Sequence, residues 1–134
     1  MRLWHYKLIP YLPKDMLVSQ WRECIAIKRQ WEKGTLKHRL VSYVKNYDKR
    51  YLLNYVLLVI QEMNTRDINY QRKYWDEIIS FCENEDFIRY DLMYQEHNKK
   101  YLRQCYYNLE EKHDRGIITD SEWKLIEYNI KEEL

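Results

Sequence analysis

The sequence predicts an all-α protein, and three observations carry that prediction. Glycine and proline number only two each in 134 residues, too few for the tight turns of a β-rich fold. Apolar residues recur at three- and four-residue spacing along most of the chain, the period of a helix face. Start and stop signals bracket those stretches. Apolar residues make up 46%, enough for one core, and the length suits one domain. The expected architecture is a single compact domain, residues 1–134, of about five helices, with an ordered N-terminal arm packed on the first helix.

The arm, Met1 to Leu12, holds aromatics and is interrupted by Pro10 and Pro13. Pro13 suits the first turn of a helix, where a missing N–H costs nothing. The stripe Leu17, Trp21, Cys24, Lys28 and Trp31 then marks a first helix, which Gly34 stops. Lys33 to Lys45 is a basic connection without clear patterning. Asp48 opens a second helix, with Leu52, Tyr55, Val56, Val59, Ile60 and Met63 on its inner face. Asn64 to Asp67 reads as a turn, and a shorter helix covers Lys73–Cys82 before the polar stretch Glu83 to Asp86. A fourth helix is expected from Glu96 to Arg115, with Tyr101, Leu102, Cys105, Tyr106 and Leu109 inside and Gly116 at its end. Thr119 and Glu122 form a capping-box pattern ahead of Trp123, Leu125, Ile126 and Ile130, the last helix.

Composition excludes several classes. The longest apolar run, Val56 to Ile60, is too short to span a bilayer, and no signal-peptide pattern is visible, so a cytoplasmic protein without membrane contact is expected. Cys24, Cys82 and Cys105 are far apart, and the four histidines form no ligand pair, so the thiols read as reduced and buried and no metal is expected. Charge is the informative property. Residues 1–50 hold 12 Lys and Arg against four Asp and Glu, a net +8, whereas the remainder carries −6. Such polarity points to a basic face and a polyanionic partner. The alternative is a solvated face that neutralises the acidic half.

On a helical wheel Arg22, Arg29 and Lys33 share one face of the first helix, and Glu23 stands about 100° round from Arg22. Ala26 falls between them on the surface. One acid therefore borders a basic stripe, with open space beside it. An ordinary solvated helix gives the same pattern.

Longer motifs add to this geometry. The opening Met1-Arg2-Leu3-Trp4-His5, then Leu12-Pro13-Lys14, and the trio Trp21-Arg22-Glu23 resemble the pyrimidine-dimer DNA glycosylase/AP lyase family of phage and bacteria. Lys37-His38, Tyr43-Val44, Tyr47-Asp48, Glu62-Met63 with Arg66, Glu96-His97, Tyr101-Leu102, Cys105 and Asn108-Leu109 also fit. The likeness runs to about Gly116 and is most specific in residues 1–23. The resemblance implies an all-α fold and a bifunctional DNA repair enzyme acting on double-stranded DNA that carries a lesion or an abasic site.

Carried over to this chain, the resemblance makes the α-amine of Met1 the nucleophile that attacks C1′ and forms an imine, with β-elimination breaking the strand. It makes Glu23 the carboxylate that assists proton transfers, and it places Arg2 and Arg22 against DNA. Arg2 following Met1 predicts that Met1 is retained. An α-amine is a sensible nucleophile, since its ordinary pKa of about 7.7–8.0 leaves far more neutral amine at neutral pH than lysine at about 10.4. No metal or organic cofactor is expected. Arg29, Lys33, Lys37, His38 and Arg39 complete the expected DNA-binding set, and His5 is a further candidate in the basic half. Where the phage relative carries an arginine three residues after its glutamate, this chain has Ala26, so Lys28, Arg29 or Lys33 would replace that contact. Trp4, Tyr6 and Trp21 are candidate walls of the site. His97 is expected to be a buried, hydrogen-bonded histidine. A monomer is expected.

A non-catalytic nucleic-acid-binding module using the same basic half is the competing reading. It shares every charge argument and needs neither a free amine nor Glu23.

Overall fold

The structure, a computed structural model, describes residues 1–82 and 92–134. Five α-helices carry it: α1 (Lys14–Lys33), α2 (Lys49–Thr65), α3 (Arg72–Cys82), α4 (Lys99–Asp114) and α5 (Asp120–Ile130). Short 3-10 segments cover Tyr6–Tyr11, Ser42–Asn46 and Lys131–Glu133. No strand occurs among the described residues, as the scarcity of turn residues predicts.

Local chemistry explains the ends of α1. Pro13 is the extended residue just before the helix (φ −52°, ψ 149°) rather than part of its first turn. Its carbonyl still accepts the Leu17 N–H at 3.0 Å. At the other end Gly34 adopts φ 73°, a left-handed conformation that favours glycine. The Gly34 and Thr35 N–H groups close onto the Trp31 and Gln30 carbonyls at 3.0 and 2.8 Å. Of the expected stripe, Leu17, Trp21, Cys24 and Lys28 are buried and Trp31 is half-buried. Lys28 tolerates burial because its ammonium meets Glu32 at 3.0 Å and Glu77 at 3.2 Å, so the charge is paired rather than stranded.

Asp48 caps α2 by accepting the Arg50 N–H at 2.9 Å, and all six expected inner residues of α2 are buried. The fourth helix begins later than the expected Glu96. Asn98 accepts the Tyr101 N–H at 2.9 Å as its cap, and the His97 N–H turns back to the Tyr94 carbonyl at 3.0 Å. Glu96 and His97 thus precede α4. Thr119 and Glu122 form the expected capping box of α5. The buried residues of α5 are Trp123, Ile126 and Ile130, while Leu125 is 49% exposed. A single residue step rotates it about 100° off that stripe. The stretch Glu83 to Asp86 lies outside the described residues.

Helix α1 packs on α2 and α3, α4 packs on α5, and the 3-10 segment of the arm sits against α2 and α5. Leu3, Trp4, His5, Leu8, Ile9 and Leu12 are all buried. Burying each of the aliphatic side chains contributes about 1.5–3 kcal/mol. The arm is therefore part of the core. Polar clamps reinforce it: Arg66, just past α2, donates to the Leu12 carbonyl at 2.7 Å and the Pro10 carbonyl at 2.9 Å, and Glu62 holds its Nε at 2.8 Å.

Candidate active site

The first four residues lie across α1, and three side chains from three helices fix them there. Gln20 of α1 accepts the Trp4 N–H at 2.7 Å and donates to the Arg2 carbonyl at 2.9 Å. Tyr55 of α2 donates to the Trp4 carbonyl at 2.6 Å. Tyr101 of α4 donates to the Leu3 carbonyl at 2.6 Å. Each bond satisfies a backbone group that burial would otherwise leave costly.

Glu23 follows Gln20 by three residues, so both side chains rise from one side of α1. Its Oε2 accepts the Gln20 Nε2–H at 3.1 Å and lies 3.4 Å from the Arg2 backbone nitrogen. Consecutive backbone nitrogens are at most about 3.6 Å apart, so the Met1 nitrogen lies within roughly 7 Å of Oε2. The Met1 amine makes no ion pair with Glu23 among the described residues, so the two groups lie near each other without touching.

Met1, Arg2, Trp4, Gln20 and Glu23 line a cleft of about 310 Å³, together with Met16, Ser19, Asn108 and Lys112. The Arg2 guanidinium lies 4.9 Å from the centre of the Trp4 ring. Lys112, from the last turns of α4, is half-buried and makes no ion pair among the described residues. The cleft thus joins the chain's first residue, a carboxylate and two cations. That set suits amine and proton-transfer chemistry on an anionic ligand. Among the described residues no three His, Cys, Asp or Glu side chains converge as a metal set.

The remaining expected site residues are distributed more widely. Arg22 is exposed and lines a separate groove of about 410 Å³, with Trp21, Ile25, Tyr70 and Tyr74 among its walls. Trp21 packs edge-on to Tyr70 there, 5.4 Å between ring centres, so of the three expected aromatic walls only Trp4 borders the cleft. Tyr6 lies instead beside His5 and His97. Arg29 is engaged by Glu77 through two bonds of 3.0 Å and by the face of Tyr74 at 5.3 Å. Lys28 is buried against the same Glu77. Of the three expected replacements for the missing arginine, only Lys33 is exposed without such an engagement. Lys37, His38 and Arg39 stand exposed on the loop after α1. The His38 Nδ1 accepts the Leu40 N–H at 3.2 Å and so shapes that loop.

His5 is buried rather than available to phosphate. Its Nδ1 accepts the Lys7 N–H at 3.1 Å, and burial lowers its pKa from 6.5 to about 4. His97 is the expected buried histidine. Its Nδ1 accepts the Tyr6 N–H at 3.2 Å, which leaves the ring proton on Nε2 to meet the Tyr43 hydroxyl at 2.8 Å. Burial lowers its pKa to about 3.

Gln20 and Lys112 escaped the sequence reading, and Tyr55 and Asn108 entered it only as an inner-face residue and as part of the family likeness, not as site residues. Gln20 had a signal: it is a polar residue on the buried side of α1, and a buried amide must find partners. Lys112 lies in the acidic part of the chain and had none.

A helical scaffold thus clamps its N-terminal residues beside a carboxylate, with Arg2 and Lys112 lining the same cleft. In a comparison with protein families, residues 1–76 match the model for pyrimidine dimer DNA glycosylases. That segment contains the arm, α1, α2 and the start of α3, and so every cleft residue except Asn108 and Lys112. The chain belongs to the pyrimidine dimer DNA glycosylase family, whose members act on damaged DNA. No match was found among curated proteins or among solved structures. No helix among the described residues is long and apolar enough to cross a membrane.

Proposed function

We propose that this chain is a bifunctional DNA glycosylase and AP lyase, with the Met1 amine as nucleophile and Glu23 as the proton-transferring carboxylate. The neutral amine attacks C1′ of the damaged nucleotide, and the C1′–N bond to the base breaks as the base leaves with a proton. The sugar ring opens to an imine on the Met1 nitrogen. Loss of a C2′ proton then expels the 3′ phosphate, and water hydrolyses the imine to release the enzyme. Each step moves a proton at or beside the sugar, which is work for a carboxylate within reach of the amine. At an abasic site the first bond cleavage is already done, and the same groups carry out the lyase half alone.

Arg2 and Lys112 hold phosphate at the rim of the cleft, and Arg22, Lys33, Lys37, His38 and Arg39 extend the contact along the duplex. Such contacts fix register and supply salt-dependent affinity. The damaged nucleotide must leave the stack for C1′ to be reached. The whole chain, residues 1–134, acts as one domain and as a monomer, without metal or organic cofactor.

The observation that carries this reading is the position of Glu23 Oε2, 3.4 Å from the Arg2 nitrogen and joined to the arm through Gln20. A module that only binds DNA has no use for a carboxylate held behind the first peptide bond, where it repels phosphate. The test is incubation with a duplex containing one abasic site. Strand cleavage leaving a 5′ phosphate and an unsaturated aldehyde on the 3′ end is expected, without added metal. Binding without cleavage would return the chain to the binding-only reading.

A further inference from the structure

We infer that Gln20 is a positioning residue for this reaction, the amide that sets where the Glu23 carboxylate stands relative to the first residue of the chain. The inference rests on the reading of Met1 and Glu23 given above. Gln20 is 1% exposed, and both its nitrogen and its oxygen have partners. Its two N–H bonds go to the Arg2 carbonyl at 2.9 Å and Glu23 Oε2 at 3.1 Å. Its oxygen receives the Trp4 N–H at 2.7 Å and faces the Tyr55 hydroxyl at 3.0 Å. The Trp4 N–H demands an acceptor and the Arg2 carbonyl a donor, so the amide has only one workable orientation.

Holding the arm requires only the bonds to Arg2 and Trp4. The remaining N–H is aimed at the carboxylate. A glutamate on a helix surface has three rotatable bonds and wanders among rotamers. Here one oxygen is fixed by Gln20 and the Arg2 N–H, while Oε1 makes no hydrogen bond among the described residues and is left for proton transfer. One buried amide thereby locks the two reacting partners into a common frame.

Single-turnover cleavage of an abasic duplex by the full chain tests this, with affinity measured separately. Gln20→Met removes both donors and the acceptor at similar volume. Cleavage should fall by about 10- to 100-fold, the effect of misplacing a reacting group by up to an ångström. The Kd should change by no more than about threefold, because most of the proposed phosphate contacts, Arg22, Lys33, Lys37, His38 and Arg39, lie outside the cleft. Introduced into Glu23→Asp, whose shorter carboxylate loses the amide, Gln20→Met should lower the residual rate by less than about threefold. An equal loss in both backgrounds would show that Gln20 merely holds the arm, and an unchanged rate would exclude any role; either overturns the proposal. If Gln20→Met does not fold, Gln20→Asn, whose shorter amide falls short of Glu23, replaces it. Slower cleavage confined to the Glu23 background supports the proposal, and an unchanged rate or an equal loss in both backgrounds overturns it. Wild-type cleavage by Glu23→Gln would be a different failure, that of the site itself.

Discussion

The backbone N–H of Arg2 faces the carboxylate of Glu23 across 3.4 Å, although 21 positions separate the two residues in the chain. The contact brings the start of the chain to the one acid on that side of α1 within reach of it. If that carboxylate moves protons during the reaction, Glu23→Gln keeps its shape and its bond to Arg2 but removes the chemistry. Strand cleavage should fall by about 10²- to 10⁴-fold, the usual span for general acid–base catalysis. DNA affinity and melting temperature should stay near wild type. Wild-type cleavage would remove Glu23 from the mechanism.

Salt dependence distinguishes the cations that touch DNA from those that hold the fold. Arg22, Lys33 and Lys112 have no anionic partner among the described residues. Each changed to Ala should reduce the slope of log K against log salt by up to about 0.9. Arg29, bound twice by Glu77 at 3.0 Å, should leave the slope unchanged when replaced. A full unit lost on Arg29→Ala would mean that DNA displaces Glu77.

Arg66 makes three charge-assisted bonds, to Leu12, Pro10 and Glu62, all between 2.7 and 2.9 Å. Its role is to tie the arm to the end of α2, so its loss should register as stability before chemistry. Arg66→Met should cost about 1.5–3 kcal/mol in denaturant unfolding, the value of one hydrogen bond to a charged group. An unchanged unfolding midpoint would contradict that assignment.

Acid should loosen the arm. Burial lowers His97 to about 3 and His5 to about 4, against 6.5 for an unperturbed ring. Below pH 6.5 the unfolded chain therefore binds protons that the folded chain refuses. This contribution to stability is complete above 6.5 and is lost as pH falls. The decline approaches about 1.4 kcal/mol per pH unit for each histidine. His97→Gln keeps a donor and an acceptor without a titrating ring, so the slope between pH 6 and 5 should drop by about one proton. An unchanged slope would mean that His97 is charged in the folded protein.

Much of this architecture was legible because local signals and burial agree. Gly34 stops α1, Asp48 starts α2, and Thr119 with Glu122 starts α5, each through a bond made within a few residues. Glu96 misleads because the polar positions around it suit a helix surface, whereas the Asn98 side chain fixes the start later. Glu23 and Arg2 were legible through motif, which also places the arm on α1, but the side chains that hold it there, Tyr55 and Tyr101 reaching in from α2 and α4, were not. The wheel placed Arg29 correctly on the outer face of α1 without showing that Glu77 of α3 waits there. Lys112 belongs to the acidic part of the chain, and only packing carries it to the cleft. Pairings of this kind link residues more than 40 positions apart, beyond the reach of any local pattern.

The central claim is that the Met1 nitrogen carries the sugar, and borohydride reduction of the reacting complex tests it most directly. Reduction converts an imine into a stable secondary amine, and peptide mapping then locates the adduct. Met1 is the predicted position, with trapping lost when the amine is acetylated or extended by a tag while most DNA affinity remains. Lys112 lines the same cleft and is the natural competitor. An adduct on Lys112 or another lysine, or full-rate trapping by the tagged chain, would contradict the account.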